Sequence, residues 1–192
     1  LLVYFCCMNG DFEILGTKVA PGQSAQVYLE VAKLHTRTDL HVPIIIERAI
    51  EEGPVVLFLG GIHGDETNGV EIVRRIIRSG LNKPLKGTII CIPVFNIFGF
   101  LNLSRQFPDG RDLNRVFPGS EKGSLAARFA HHFTKKIAPL VDYVVDFHTG
   151  SADRINAPQV RCVFSETKTY EIAEAFGAPF IIYSNYIPKS VR

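Results

Sequence analysis

Neither sign of charge dominates this sequence: 21 Lys and Arg stand against 19 Asp and Glu in 192 residues, a formal charge of +2. The pairs Arg74–Arg75 and Lys135–Lys136 are scattered rather than aligned in a stripe, so the electrostatic footprint of a nucleic-acid binder is missing. Long hydrophobic runs are missing as well, since nothing approaches the roughly 20 apolar residues of a membrane-crossing helix. The opening octet, LLVYFCCM, is apolar but short, without the basic start and small-residue cleavage site of a secretory leader. Cys6, Cys7, Cys91 and Cys162 show no CxxC spacing, and an α/β domain of this size needs no disulfide staples. These absences predict a cytoplasmic protein with reduced thiols, no membrane partner and no nucleic-acid partner. There are no repeats or low-complexity tracts, and the length suits one sizeable core. Residues 1–10 read as an extension and 11–192 as one domain.

Hydrophobic periodicity is clear in the rest. Val27, Leu29 and Val31 alternate with Tyr28, Glu30 and Ala32, which predicts a half-exposed strand over 26–34. Residues 9–22 read as an entry segment with a turn at 20–22, and 35–41 as a polar loop in which His35 and His41 face solvent. A β-branched run at 42–50 and a buried strand at 55–59 follow. Val70, Val73, Ile76 and Ile77 recur at helical spacing over 68–79, with Arg74, Arg75 and Arg78 on the other face. A second buried strand spans 88–94, and this strand–helix–strand order with short connections predicts a mostly parallel or mixed sheet in a three-layer α/β/α sandwich. Residues 95–120 have little periodicity, and a loop of that length in a compact domain reads as functional. Ser120 or Ser124 caps a helix carrying the stripe Leu125, Phe129, Ala130, Phe133 and Ile137. A third buried strand at 140–147, a strand at 160–164, a helix at 169–176 ended by Gly177 and a strand at 179–183 complete the chain.

Two of the buried strands end in chemistry. The first runs into LGGIHGDE at 59–66, a glycine-laden turn at the strand's carboxyl end, where open α/β sheets bind ligands. His63 and Glu66 are three apart, so one helical turn sets both on one face. The third strand ends in VVDFH at 144–148. His63, Glu66 and His148 form a two-histidine, one-carboxylate set that suits one Zn²⁺ with a fourth position open for water. Asp146 shares a strand face with His148 and is placed to accept the proton of its other ring nitrogen. Asp65 is expected to bond the turn backbone instead. The arginines of 105–115 suit a substrate carboxylate or a developing oxyanion.

GGIHGDE at 60–66, DGRDLNRVFPG at 109–119 and DFHTG at 146–150, in that order, resemble the succinylglutamate desuccinylase/aspartoacylase family of zinc carboxypeptidase-like enzymes. The resemblance runs from about residue 11 onward. It implies a zinc carboxypeptidase-like fold with His63, Glu66 and His148 as ligands of one zinc ion. It also implies a substrate-carboxylate grip by Asn114 and Arg115, and polarisation of the scissile carbonyl by Arg105, with Arg111 as a competing register. The substrate class implied is an N-acyl amino acid or a similar small carboxylate-bearing amide, and a homo-oligomer is compatible with it. The rival readings are a metallocarboxypeptidase acting on peptides or peptidoglycan fragments and a non-catalytic zinc-binding domain. One departure stands out: the family's general-base glutamate, about sixty residues after the third ligand, falls beyond position 192. Glu166, Glu171 and Glu174 come too early, so the expectation is a C-terminally incomplete domain with little activity of its own.

Overall fold

The computed structural model describes residues 12–33, 35–152 and 154–191; Cys6, Cys7 and the expected extension at 1–10 lie outside them. Three-residue strands β1 (Phe12–Ile14) and β2 (Thr17–Val19) pair antiparallel where an irregular entry segment was expected. The turn residues Leu15 and Gly16 both have positive φ, which closes so tight a hairpin. Strands β3 (Ser24–Lys33) and β4 (Asp39–Arg48) form a long antiparallel pair. His41 therefore sits in a strand rather than a loop, exposed as expected. Next come β5 (Val55–Gly60), helix α1 (Thr67–Arg78) and β6 (Thr88–Ile92). The stretch expected as irregular loop contains a short helix, α2 (Ile97–Leu101), capped by the Asn96 side chain on the Gly99 N–H.

Helix α3 (Leu125–Lys136) starts at Ser124, whose hydroxyl accepts from the Ala127 N–H, so of the two candidate caps the later one is used. Asp109, far back in the preceding loop, accepts from the Ala126 N–H and ties that loop to the helix start. Strand β7 (Tyr143–Phe147) returns to the sheet. A final unit of β8 (Gln159–Cys162), α4 (Thr167–Phe176) and β9 (Phe180–Tyr183) forms its own two-stranded parallel sheet, and Gly177 ends α4 in the left-handed region.

The main sheet has the order β3-β4-β6-β5-β7, antiparallel on the β3–β4–β6 side and parallel across β6–β5–β7. It is a mixed sheet. Alternation assigns its two faces. Leu57, Leu59, Ile90 and Ile92 pack with Phe95, Phe107, Phe129 and Phe133 on the α3 side, while Phe58, Cys91 and Phe147 pack with Val73, Ile76 and Ile77 of α1 on the other. Helix, sheet and helix make three layers. The aromatic layer under α3 is dense: the Phe95 ring lies 4.8 Å from that of Phe129 and 4.9 Å from that of Phe133. Each such ring contributes about 1.5–3 kcal/mol through burial.

Strand order places the site. After β5 the chain crosses to β6 on one side through α1 and returns to β7 on the other side of β5 through α3, and these two helices pack on opposite faces of the sheet. That switch point at the strands' carboxyl ends is where this architecture leaves a crevice. Because Gly60 is registered against Phe147, the residues just past these two positions emerge side by side.

Candidate metal centre

His63 lies three residues beyond β5 and His148 one residue beyond β7, and their ring centroids are 5.0 Å apart. The turn that carries His63 is closed by backbone bonds from the Glu66 N–H to the His63 carbonyl and from the Gly69 N–H to the Glu66 carbonyl. Its tightness depends on Gly64, where any Cβ would strike the backbone of Gly99 in α2, and on Gly69, where it would strike the Phe147 carbonyl. These close approaches draw α2, α1 and β7 onto the same point.

Glu66 occupies the cap position of α1, yet its side chain makes no capping bond to the helix. It is turned into the cluster instead. Its Oε1 lies 2.9 Å from His63 Nδ1 and its Oε2 2.9 Å from His148 Nδ1. The Thr149 N–H also donates to Oε2 at 2.8 Å and the Ser151 hydroxyl to Oε1 at 2.7 Å. Each histidine is gripped from behind as well. Asp112 Oδ1 lies 3.0 Å from His63 Nε2, and Asp146 Oδ2 2.6 Å from His148 Nε2.

The protonation states follow. Burial disfavours the Glu66 carboxylate, but the bonds from His148, His63, Ser151 and Thr149 outweigh it and hold Glu66 far below the usual carboxylate range. Burial likewise works against a charged His63, and the Asp112 and Glu66 carboxylates overcome it and raise its pKa. For His148 the same opposition, with Asp146 and Glu66 winning, pushes the ring up to about 9. Asp112 is lowered despite burial, by His63 and Arg105.

His63, Glu66 and His148 offer one ligand atom each, all within 4.8 Å of one another. The donor set fits a divalent cation. Two imidazole nitrogens and a carboxylate are a zinc-type set, and both Nδ1 atoms face the same anion, where two ring protons now balance it. Metal ligation requires neutral imidazoles, so a divalent ion would replace those two protons charge for charge. The carboxylates behind Nε2 of each ring are the outer partners that fix ring orientation at metal sites. His63 and Glu66 are buried, while His148 keeps 33% of its side-chain surface exposed.

Arg105 reaches this cluster. Its Nε and Nη2 donate to Asp112 Oδ2 at 3.1 and 2.9 Å, and its Nη1 donates to Ser151 Oγ at 2.7 Å and to Glu66 Oε1 at 3.3 Å. Arg111, the competing register, is exposed and faces Asp109 at 3.7 Å. Asn114 is buried, and its Oδ1 accepts from the Val191 N–H at 2.9 Å. Arg115 is exposed and spends Nη1 on the Asn114 carbonyl. Asp65 differs from expectation: its Oδ1 is buried without a hydrogen-bond partner among the described residues. Sequence reasoning missed Asp112 and Ser151. Asp112 sits in the DLNR motif and caps the short turn 113–115 through the Asn114 N–H, a signal that was readable; Ser151 lies in an irregular loop and gives none.

The model of the succinylglutamate desuccinylase/aspartoacylase catalytic domain matches residues 52–192. An N-alpha-acetyl-L-2,4-diaminobutyric acid deacetylase from Halomonas elongata is 33% identical over 137 residues, covering 68% of this chain and 40% of its own length. Among solved structures, an aspartoacylase family protein from Mesorhizobium loti superposes with a TM-score of 0.75 at 32% identity, over 85% of this chain and 54% of that one. A succinylglutamate desuccinylase/aspartoacylase from Rhodobacter sphaeroides superposes with a TM-score of 0.74 at 28% identity, over 83% and 52%. The chain thus spans about half the length of these relatives or less. With the three motifs folded onto one switch point and the catalytic-domain model matching most of its length, the chain belongs to the succinylglutamate desuccinylase/aspartoacylase family.

Proposed function

We propose that the protein is a zinc-dependent amide hydrolase that removes the acyl group from an N-acyl amino acid or a similar small carboxylate-bearing amide. The observation that carries this reading is Glu66 shared between two histidine Nδ1 atoms, each ring backed by its own aspartate. His63, Glu66 and His148 would hold the ion. Zinc, when bound, supplies a Lewis acid that activates water and polarises a carbonyl. The protein's own part is positional. Asp112 and Asp146 hold the rings with Nδ1 toward the cluster, and Ser151 and the Thr149 N–H fix the Glu66 carboxylate. Arg105, with its guanidinium against Glu66 and Ser151, is proposed to stabilise negative charge that develops on the amide oxygen. Arg115, with Asn114 supporting it through the backbone carbonyl, is proposed to receive the substrate carboxylate through the donors it has left.

The relative from Halomonas elongata, by its name, removes an acetyl group from an amino-acid nitrogen, which supports the choice of an N-acyl amino acid. Glu166, Glu171 and Glu174 lie exposed at the start of or within α4 and meet none of the three donors. None of them serves as proton acceptor in this reading, so the 192-residue chain is expected to hydrolyse amides slowly by itself. The test is a panel of N-acyl amino acids and C-terminally unblocked peptides incubated with zinc-loaded protein. Release of acyl groups, however slow and lost in Glu66→Ala, is the expected result. Release of C-terminal residues from peptides with no deacylation would replace the reading by carboxypeptidase action.

A further inference from the structure

A second cleft, of about 490 Å³, opens between the end of β3 and the first turns of α3. It is open to solvent on one side, so a ligand held there would stay partly exposed. His63, Glu66 and His148 are not among its lining residues, nor are Asp112, Asp146, Arg105 or Ser151. Four of the lining side chains are basic or protonatable: Lys33, His35, Arg128 and His132. Among the described residues no carboxylate lines it. Phe98 and Leu125 supply an apolar wall.

The charges on offer are unequal. Lys33 is already paired with Asp39 at 3.2 Å. Arg128 has no side-chain partner among the described residues, and a guanidinium stays protonated at every relevant pH. A guanidinium beside an apolar wall suits an anion with a hydrocarbon stem better than a strongly hydrated phosphate. A guanidinium receives a carboxylate through two parallel N–H donors, while the stem would cover Phe98 and Leu125. We propose that this cleft is a binding site for a small amphipathic carboxylate, separate from the metal cluster, with Arg128 as its anchor.

The experiment titrates the 192-residue chain with octanoate, acetate and inorganic phosphate by calorimetry. Octanoate is expected to bind saturably at one site and more tightly than acetate or phosphate. Arg128→Glu is expected to weaken octanoate by about tenfold or more, the loss of a charge-assisted hydrogen bond, and Arg128→Lys by less. Both variants lie on an exposed helix position, and a thermal melt checks that each is folded. His148→Ala is expected to leave octanoate affinity unchanged, which separates this site from any carboxylate binding at the metal cluster. Failure of octanoate to saturate, equal affinity in Arg128→Glu, loss of binding in His148→Ala, or tighter binding of acetate or phosphate than of octanoate would each overturn the proposal.

Discussion

His63 and His148, 85 residues apart in sequence, present the same ring nitrogen, Nδ1, to opposite oxygens of one carboxylate at 2.9 Å each. Parallel pairing of β5 with β7 produces this, since it delivers both residues past the same edge of the sheet. The arrangement aims two ring nitrogens at one largely buried carboxylate, a donor set that a divalent cation suits.

Protein purified without added metal is therefore expected to carry one zinc ion per chain, and His148→Ala little. Elemental analysis of both samples checks it. Equal zinc in the two would remove His148 from the ligand set.

The outer aspartates are expected to matter nearly as much as the ligands. Asp112→Asn and Asp146→Asn each keep side-chain volume but weaken the grip on the far ring nitrogen. Zinc affinity should fall by about 10–100-fold in each, as is usual when such a partner is lost. Competition with a chelating indicator measures it. Asp112→Asn should also lower thermal stability more than Asp146→Asn, because Asp112 additionally receives Arg105 and the Asn114 N–H. Unaltered zinc affinity in both variants would mean that the rings are oriented by packing alone.

What the sequence made legible follows from which signals are local. Apolar runs closed by His63 and by Asp146–Phe147–His148 announce buried strands with polar ends, from which the candidate ligand triad was readable, and the strand–helix–strand order around α1 announced the three-layer architecture. The stripe Leu125, Phe129 and Phe133 likewise marked α3. The hairpin of β1 and β2 was missed because a three-residue strand shows too few alternations to register. Helix α2 was missed because its five residues, Ile97–Leu101, are apolar with a glycine in the middle, and its cap Asn96 was the only cue. Ser151 joins Glu66 and Arg105 only because tertiary folding brings an irregular loop back over the site. That kind of contact leaves no periodicity to find.

Gly64 is a position where shape rather than chemistry is expected to decide. A methyl group there meets the Gly99 backbone, which is itself fixed by the Asn96 cap and by the bond from the Ser104 N–H to the Gly99 carbonyl. Neither side can yield cheaply, so Gly64→Ala should cost about 3 kcal/mol, the upper end for overpacking. At Gly80, which has positive φ and open space around it, Ala should cost only the left-handed strain of about 1–2 kcal/mol. Urea denaturation of the two variants compares them. Equal costs would show that α2 moves away freely.

Arg115 tests the substrate side. It is exposed and stands next to the buried Asn114, and among the described residues only its Nη1 is committed, to the Asn114 carbonyl. A guanidinium so held is oriented but not consumed, which suits it to a carboxylate arriving from solvent. In zinc-loaded protein, Arg115→Ala should weaken binding of an N-acetyl amino acid by about 1.5–3 kcal/mol, the usual range for hydrogen bonds to a charged group. The matching carboxamide should bind wild type and variant nearly alike, because it offers no charge to lose. Calorimetry of the two ligands against the two proteins closes a cycle that isolates the pairing from any general loosening of the 113–115 turn. If Arg115→Ala weakened both ligands equally, the arginine would be holding Asn114 and its turn in place, and the substrate carboxylate would have to be received elsewhere.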